Sequence, residues 1–567
     1  MLEQNTVLGQ RKAAIWRLIE SCLNKNRQEG KLNFEEIADF VVEQPREEAH
    51  GDFACNAAMV MAKACRRAPR DIAALLKASI EEACAAGEAD AAEIEEASIA
   101  GPGFLNFRLK PGWLGKCMAE ILAQGDAFGR SDAGQGQKIQ VEFVSANPTG
   151  ELHMGNARGA AIGDSLVNIL NAAGFRAERE FYINDAGNQI EKFGLSLDAL
   201  YQTRLGHPVP FPEDGYHGED LPRLIDDLAE REGDIYLKLP EQERRRLLAD
   251  YALSLKITDI RNALANFGVE YDVWFSERSL HESGAVQGII DKLEGEGWLL
   301  QQDGALWLDC RRFGEEKPEV LVRNNGVPTY YAADIAYHDN KFRRGFDTVI
   351  DIWGADHHGH VARMQGAMEA LGYDRKRLEV ILMQFVRLYQ GGQLLKMSKR
   401  TGQYVTLNEL VEEVGRDAAR FFFVMRSADS LIDFDMDLAK KQSADNPVYY
   451  VQYAHARICS ILAAAPAGAL EGPVDCALLQ QEGEEKLIRK LAAFPDEVAT
   501  AALSREPHRL AMYVMDLAAQ FHNFYGQCHC LVEDKDLMRA RLHLIQAVAG
   551  AIRRGLAMLG VSAPEKM

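Results

Sequence analysis

The sequence lacks the features that mark membrane, secreted and disulfide-linked proteins. It contains no apolar run long enough to cross a bilayer, and its first residues are amphipathic without the apolar core of a signal peptide. Its ten cysteines are scattered at irregular intervals, which is typical of small buried residues in a reducing compartment rather than of a disulfide framework. We therefore expect a cytoplasmic protein with no membrane segment.

The sequence also has fewer basic than acidic residues. The 64 Lys and Arg residues are outnumbered by 84 Asp and Glu residues, which gives a formal net charge of -20 at pH 7. Such a surface does not attract nucleic acid nonspecifically, so any RNA partner must meet a local basic patch. Composition alone leaves the partner open.

The chain is long enough for several domains, since 567 residues exceed what one hydrophobic core usually supports. Residues 1–112 begin with helical patterning and end in ASIAGPGFLNFRL, where Phe104, Leu105 and Phe107 follow a Gly-Pro-Gly turn in a strand-like run. Residues 445–567 show only apolar spacings of three and four, the pattern of a helical bundle. We expect a small α/β domain at the start and a helical domain at the end.

Residues 113–444 have the pattern of a parallel α/β domain. The strand KIQVEFV, the turn SANPTG, a helix from about Gly155 to Ala173 and the strand REFYIND follow one another as a right-handed βαβ unit requires. Residues from about 205 to 275 are polar and helical, and we interpret them as an insertion before the strand pattern resumes near Ala305 in ALWLDC. The later runs EVLVR, DTVIDIW and VILMQFV are expected to be buried parallel strands.

Two short motifs suit phosphate chemistry. His153 and Gly155 occupy the turn that opens the predicted helix, where an imidazole can donate to phosphate oxygens and a glycine admits a flat adenine. Alone, this pattern is more often a helix cap or a packed imidazole. Lys396, Lys399 and Arg400 lie in a Gly-flanked loop that could neutralise a leaving pyrophosphate, although three cations in a loop usually mean a solvated surface.

Together, HMGN at residue 153 and KMSKR at residue 396 resemble the HIGH and KMSKS motifs of class I aminoacyl-tRNA synthetases. The stretches HGDFACNAAM, SANPTGELHMGNARGAAIGD, PTYYAADIAYHDNKF and DNPVYYVQYAHARI are similar specifically to the arginyl-tRNA synthetase family, and the resemblance covers nearly the whole chain. The chain departs from the motif at Met154 and Asn156, which replace isoleucine and histidine; an asparagine amide can still donate a hydrogen bond.

The resemblance implies an α/β fold built around a Rossmann-type parallel-sheet catalytic domain. It implies a domain over 1–112 that contacts the tRNA elbow, the catalytic domain over 113–444 with a helical insertion near 205–275, and a helical anticodon-binding domain over 445–567. The implied reaction activates L-arginine with ATP and transfers it to the 3′-terminal adenosine of the tRNA for arginine. ATP and Mg²⁺ are the expected cofactors, and a monomer is the expected state.

The resemblance also assigns residues to the nucleotide. Those expected to stabilise charge on the phosphates are His153, Asn156, Lys396 and Lys399. Those expected to bind ATP are Gly155, Gly354, Asp356, Met397 and Ser398. Gly354, Asp356 and His357 follow the strand DTVIDIW, so they should lie at the carboxyl end of a parallel strand, the first two near the ribose and His357 near the amino acid.

An arginine pocket needs carboxylates and other acceptors, because a guanidinium is a planar cation with five donors. By resemblance, Tyr330 and Asp334 hold the guanidinium, and Glu142 and Asn147 orient the backbone end of the amino acid. Spacing of four places Tyr330 and Asp334 on one face if the segment is helical. The alternatives are that Glu142 is an exposed strand residue and that Tyr330 with Asp334 forms a helix cap with a packed ring.

Histidines in GADHHGH also suggest a metal, but adjacent residues on one turn rarely converge on one ion, so no metal site is expected. The resemblance suggests tRNA contacts at Asn106 and Phe107. Tyr449, Tyr453 and Arg457 recur at spacing four and could stack on unpaired anticodon bases, although such stripes are usually core.

Three alternatives remain for the whole chain: another class I synthetase, a small-molecule ligase with the same nucleotide fold, and a noncatalytic tRNA-binding relative. Missing zinc ligands argue against a cysteine enzyme, and the large helical tail argues against a small-molecule ligase. Retention of His153, Lys396 and Lys399 argues against a noncatalytic relative.

Overall fold

The N-terminal residues form an antiparallel sheet packed against helices. The computed structural model describes residues 6–45, 47–216, 218, 220–395 and 405–567. The first strands, in the sheet order β1-β2-β4-β3, are β1 (Val42–Glu43), β2 (Phe53–Cys55), β3 (Ile94–Ala100) and β4 (Phe104–Leu109). The helices are α1 (Val7–Gln28), α2 (Ala57–Val60), α3 (Ala62–Cys65) and α4 (Pro69–Ala86). The strand predicted after the Gly-Pro-Gly turn is confirmed as β4.

The central residues build a five-stranded parallel sheet and a smaller three-stranded sheet, with helices around them. The strands are β5 (Lys138–Glu142), β6 (Arg176–Ile183), β7 (Val273–Ser276), β8 (Leu299–Gln302), β9 (Ala305–Leu308), β10 (Glu319–Val322), β11 (Thr348–Gly354) and β12 (Leu378–Met383). The helices are α5 (Trp113–Gln124), α6 (Met154–Ala172), α7 (Asn188–Arg204), α8 (Leu221–Glu232), α9 (Glu241–Asn266), α10 (Glu277–Glu282), α11 (Ala285–Gly295), α12 (Tyr330–Arg343) and α13 (His358–Ala370). Five strands pair in parallel in the order β12-β11-β5-β6-β7, which confirms the predicted βαβ unit β5-α6-β6.

Two strand predictions were wrong. The parallel sheet resumes at Val273 in β7 and not near Ala305. The sequence pattern did not reveal β7 because this strand has only four residues and comes soon after the polar helices. ALWLDC and EVLVR belong to a separate antiparallel sheet with the order β10-β9-β8. These strands are only partly buried, and a sheet with one face near solvent favours antiparallel pairing over the doubly covered parallel arrangement.

A small mixed sheet follows the parallel one. Its elements are β13 (Val386–Gln390), β14 (Gln393–Leu395), α14 (Leu407–Val414), α15 (Arg416–Val424), β15 (Ile432–Asp435) and α16 (Met436–Lys440), and the strand order is β14-β13-β15. The run VILMQFV is therefore not one strand: it begins in β12 and ends in β13, which belong to different sheets.

The C-terminal residues are a helical bundle, as the spacing of apolar residues predicts. The helices are α17 (Pro447–Ala464), α18 (Glu482–Ala492), α19 (Phe494–Ser504), α20 (Pro507–Gln527) and α21 (Lys535–Met558). One hydrophobic cluster runs from the first helices through the parallel sheet into this bundle, a second lies under α12 and α13, and a third joins α7, α8 and α9. Within the described ranges, no helix is both long enough and apolar enough to span a membrane.

Candidate active site

A crevice opens where the order of the parallel strands reverses. The strand β5 continues through α6 to β6 on one side, whereas its other neighbour, β11, comes much later in the chain. The carboxyl ends of β5 and β11 therefore flank a topological switch point, where open parallel sheets bind nucleotides. The helices α6 and α13 begin just beyond these ends.

The turn at His153 is held by hydrogen bonds that also orient its imidazole. His153 is the N-cap of α6, and its Nδ1 accepts from the backbone N–H of Gly155 at 3.1 Å. The Oδ1 of Asn156 accepts from the backbone N–H of His153 at 3.0 Å. Because Nδ1 is an acceptor, a neutral ring carries its proton on Nε2, and because Asn156 uses its oxygen, its amide group is left as a donor. The cap thus holds two hydrogen-bond donors, the Nε2–H of His153 and the amide NH₂ group of Asn156, beside the switch point.

The lack of a side chain at Gly155 leaves room for the imidazole of His153. A Cβ built at this position would lie 2.9 Å from the Cε1 of His153. Any side chain would push the ring out of its capping position, so a larger residue would disturb the donor itself. The predicted contact of Gly155 with adenine remains a prediction.

The chain between β5 and this turn is strained. Val144 and Ser145 have φ angles of +70° and +39°, which a β-branched residue such as valine rarely adopts. The Ser145 hydroxyl donates to Glu142 Oε1 at 2.8 Å and accepts from the backbone N–H of Tyr182 at 3.1 Å. The unusual conformation therefore ties the turn to both β5 and β6.

Glu142 and Asn147 lie on either side of that strained segment. Glu142 is 8% exposed, so the alternative of an exposed strand residue is wrong. Its Oε2 accepts from Lys341 Nζ at 2.6 Å, and burial raises the pKa of the carboxyl group despite this ammonium. Asn147 is exposed in the following turn. Contact of either side chain with an amino acid remains a prediction.

Four predicted residues, Lys396, Met397, Ser398 and Lys399, lie outside the described residues. The chain is described again from Val405, and there it lies against the His153 turn. Leu407 N–H donates to the carbonyl oxygen of Leu152 at 2.8 Å, and Thr406 forms a β-bridge with His153. The sequence that follows the lysine motif is therefore attached beside the histidine motif.

Tyr330 and Asp334 lie at the start of α12, so the helical spacing is confirmed. Tyr330 is 51% exposed, which makes the packed-ring alternative wrong. Its hydroxyl lies beside Gly187 at the start of α7, 3.7 Å from where a Cβ would be built. The Oδ2 of Asp334 lies 3.3 Å from the Nε2 of His360, which joins this end of α12 to α13.

The GADHHGH segment lies at the predicted strand end. Gly354 is the last residue of β11, and the side chains of Asp356 and His357 are 65% and 60% exposed. His360 of the same segment reaches Asp334, so the segment and the start of α12 are neighbours. Among the residues that the structure describes, no group of three or more His, Cys, Asp and Glu could hold a metal ion.

The structure brings Glu277 to the same place, a residue that the sequence analysis missed. Glu277 follows β7 as the first residue of α10 and is 3% exposed. Burial, and then the charges of Asp334 and Asp185, raise its pKa to about 7. A bound cation would favour the ionised form of such a group. The signal was a glutamate at the end of a strand, but the predicted insertion up to about residue 275 concealed β7.

The aromatic stripe of α17 lies at the surface, so the core alternative is wrong. Tyr453 is 39% exposed, and its ring stacks on Tyr449 with the centroids 6.4 Å apart. Arg457 Nη1 donates to the Tyr453 hydroxyl at 2.7 Å, and its guanidinium lies 4.4 Å from the centroid of the Tyr525 ring. Beside the stripe is a groove of about 720 Å³, also lined by His529.

The other expected tRNA contact needs a correction. Phe107 is 0% exposed and its ring belongs to the hydrophobic core, so the ring cannot meet RNA without opening that core. Asn106 lies on the same strand, pairs with Ala54 and is 6% exposed. A contact between Asn106 and tRNA stays a prediction.

Comparison with known families settles the relationship of the chain. A family model described as "tRNA synthetases class I (R), catalytic domain" matches residues 117–435. The chain belongs to the arginyl-tRNA synthetase family. The model "Arginyl tRNA synthetase N terminal domain" matches residues 15–109, and the model "DALR anticodon binding domain" matches residues 451–567.

Individual relatives agree with this family. The arginine–tRNA ligase of Moorella thermoacetica is 56% identical over 545 residues, which cover 95% of this chain and 96% of the relative. That of Heliobacterium modesticaldum is 54% identical over 563 residues, 98% of each chain. The solved arginyl-tRNA synthetase of Thermus thermophilus superposes with a TM-score of 0.74 at 24% identity, covering 98% of this chain and 100% of that one. The predicted fold class is thereby confirmed.

Proposed function

We propose that this chain is an arginine–tRNA ligase, which activates L-arginine with ATP and transfers it to the 3′-terminal adenosine of its tRNA. The observation that carries the choice of amino acid is that the buried Glu277 lies on α10, which packs against the helix α12 that carries Asp334, close enough for the charge of Asp334 to raise the pKa of Glu277. Two neighbouring carboxyl groups, the buried Glu277 and the partly exposed Asp334, suit a cation. The names of relatives that are 56% and 54% identical support the same choice.

Recognition of the guanidinium follows from its shape and charge. In this proposal Asp334 and Glu277 accept its N–H groups, and the exposed Tyr330 ring covers the side chain. A single ammonium, as in lysine, lacks the planar set of paired N–H donors with which a guanidinium makes a bidentate contact to a carboxylate. An uncharged side chain would leave both unpaired, which costs binding free energy. Glu142, Asn147 and His357 are assigned to the backbone end of the amino acid.

The nucleotide is assigned to the two sides of the switch point. Support for His153 and Asn156 as phosphate donors comes from the capping box that orients them. Support for Lys396 and Lys399 comes from the motif alone. The residues assigned to the rest of ATP are Gly155, Gly354, Asp356, Met397 and Ser398.

The proposed reaction needs no enzyme nucleophile. The arginine carboxylate attacks the α-phosphorus of ATP, the bond to pyrophosphate breaks, and arginyl-adenylate forms. The 2′-hydroxyl of the terminal adenosine then attacks the activated carbonyl carbon, and AMP leaves with the bonding electrons. Catalysis comes from placing the reactants and from donors that meet the charge developing on the phosphate oxygens.

We propose that Mg²⁺ arrives with ATP and is held by phosphate oxygens and water, as this ion commonly is. The described part of the chain has no cluster of three ligand residues for it, so no residue is assigned to the ion and no step depends on one. Mg²⁺ held in this way would neutralise negative charge on the outer phosphates of ATP.

The tRNA is assigned to both ends of the chain. In this proposal Tyr449, Tyr453 and Arg457 bind unpaired anticodon bases, since an exposed ring stacked on a half-buried one beside an arginine suits flat bases. The ranges of the three matched family models support division into domains over 1–112, 113–444 and 445–567. A monomeric state and a cytoplasmic location remain predictions from the sequence, and sedimentation velocity would check the first.

The deciding experiment is ATP–pyrophosphate exchange with each amino acid in turn, with and without total tRNA. We expect exchange with arginine only, and a fall of about a hundredfold or more in His153→Ala because a transition-state donor is lost. His207→Ala removes an exposed histidine after α7 and serves as the control. Exchange with another amino acid would sink the pocket assignment, and no exchange under any condition would sink the proposed function.

A further inference from the structure

The helix that carries Tyr330 and Asp334 is anchored farther along by buried polar residues. Tyr337, His338 and Lys341 follow on α12 and are 2%, 3% and 0% exposed. Burying polar groups costs free energy unless they are paired, so their partners show what the helix is fixed to.

Lys341 joins α12 to the two strands that flank the switch point. Its Nζ donates to Glu142 Oε2 at 2.6 Å and to Asp351 Oδ1 at 2.7 Å. Glu142 is the last residue of β5, and Asp351 is its register partner on β11. Two buried carboxylates side by side repel each other, and the ammonium between them offsets that repulsion only while α12 stays in this position.

His338 adds a second link between the helix and β11. Its Nε2 lies 2.7 Å from Asp351 Oδ2, and its Nδ1 lies 2.7 Å from the carbonyl oxygen of Asp334. The imidazole therefore connects a strand residue directly to the backbone of a residue assigned to the guanidinium. The side chain of Asp334 is also held from α13, at 3.3 Å from His360.

We infer that Lys341 and His338 are positioning residues for arginine recognition, which hold α12 in one register over β5 and β11. Neither residue touches the amino acid. Lys341 lies about 10 Å along the helix from Asp334, so it acts on Asp334 through the placement of α12. It also holds the carboxyl group of Glu142, which is assigned to the backbone end of the amino acid, by a direct hydrogen bond. A shift of about 1 Å at Asp334 would spoil a bidentate contact with a guanidinium. This inference rests on the proposed function, because it takes arginine to be the amino acid bound.

The test compares Lys341→Met with Arg541→Met. Arg541 is also a buried cation, paired with Glu484 at 2.7 Å in the C-terminal bundle. Thermal unfolding and the KM values for arginine and ATP are measured, the latter by pyrophosphate exchange at saturating tRNA. Both variants should unfold at lower temperature. Only Lys341→Met should raise KM for arginine, by about tenfold, while KM for ATP changes less than about twofold.

His338→Phe carries the test if Lys341→Met does not fold, since it keeps a ring in place and leaves Lys341 between its carboxylates. We expect KM for arginine to rise about threefold or more in this variant, again without a matching change for ATP. Equal rises for both substrates, or no rise for either in folded variants, would overturn the inference. Wild-type protein that shows no arginine-dependent exchange would instead overturn the proposed function.

Discussion

Lys341 and Arg420 are both fully buried cations, but their charges are neutralised in different ways. Lys341 lies between two carboxylates, those of Glu142 and Asp351. Burial acts to lower the pKa of Lys341, but Asp351 and Glu142 raise it above its ordinary value. This cation comes from a helix, and both of its partners lie on neighbouring strands of one sheet, where they are paired in register.

Arg420 has one carboxylate and several backbone partners. It pairs with Asp164 of α6, which Arg179 also binds at 2.8 Å. Its remaining donors reach the carbonyl oxygens of Leu559 at 3.0 Å and Phe267 at 3.2 Å. Burial lowers the pKa of Arg420 although Asp164 acts to raise it. This one guanidinium thus joins α6, α15, the end of α9 and the residue after α21.

The two clusters therefore have different roles: the first fixes the geometry of the candidate site, and the second holds distant parts of the chain together. The Lys341 cluster fixes one helix relative to two paired strands, and it contacts Asp334 and Glu142, two of the residues assigned to arginine. The Arg420 cluster holds the last helix of the bundle against the helix that begins at His153. Gly560 follows that last contact, and a side chain there would overlap the Arg420 guanidinium. Changes near Lys341 should therefore appear in substrate affinity as well as in stability, and changes at Arg420 in stability alone.

The largest effect is expected from Arg420→Leu. It removes the donors of three backbone carbonyl oxygens, those of Leu559, Phe267 and Gly268, and a counter-charge of Asp164. Breaking a buried pair from one side typically costs about 3–5 kcal/mol. We expect the first unfolding transition in urea to lose stability of that order, while the folded fraction keeps its KM for arginine within about twofold. An unchanged transition, or a rise in KM without loss of stability, would remove the contrast between the two cations.

A smaller effect, which weakens arginine binding but raises stability, is expected from Glu277→Gln. Loss of one partner of a buried charge pair should weaken arginine binding by about 2–3 kcal/mol. The same variant should be more stable than wild type by about 1 kcal/mol or more at pH 8, because Glu277 with its raised pKa is ionised there at a cost in folding free energy. KM for arginine and urea unfolding at pH 8 give both numbers.

The control for Glu277→Gln is Glu282→Gln, which changes an exposed carboxylate on the same helix. It should alter neither KM nor stability by more than about 0.5 kcal/mol. Equal effects in the two variants would show that Glu277 has no special relation to the amino acid.

Local patterns predicted the elements whose signal is contained in a few neighbouring residues. The alternation in β5, the turn at His153 and the apolar spacing of α6 lie in one stretch, and the structure agrees with all three. The helical spacing of Tyr330 and Asp334 could be predicted for the same reason. Residues near in sequence report directly on local structure.

Long-range pairs could not be predicted from such patterns. Lys341 looks like any charge on an amphipathic helix, yet it binds Glu142, 199 residues earlier in the chain. The four residues of β7 are all only half buried, so they carry too weak a strand signal to reveal that Glu277 follows a sheet strand. Phe107 was expected at RNA because a motif gives the position of a residue but not the direction in which its side chain points.

The pH dependence of arginine binding gives the smallest and sharpest test. Glu277 has a folded pKa of about 7, so it is ionised at pH 8 and becomes protonated as the pH falls through 7. A cation binds the ionised form better, and KM for arginine should therefore rise about tenfold between pH 8 and pH 6.

Other ionisable groups lie near Glu277 and Asp334, so a variant must separate their contribution. His281 lies 3.7 Å from Glu277, and His360 lies 3.3 Å from Asp334. Protonation of either histidine would also weaken the binding of a cation. In Glu277→Gln the histidine contribution persists and the glutamate contribution is lost, so the slope of log KM against pH between 6 and 8 should flatten. An equally steep slope would assign the pH dependence to the histidines and remove Glu277 from the arginine pocket.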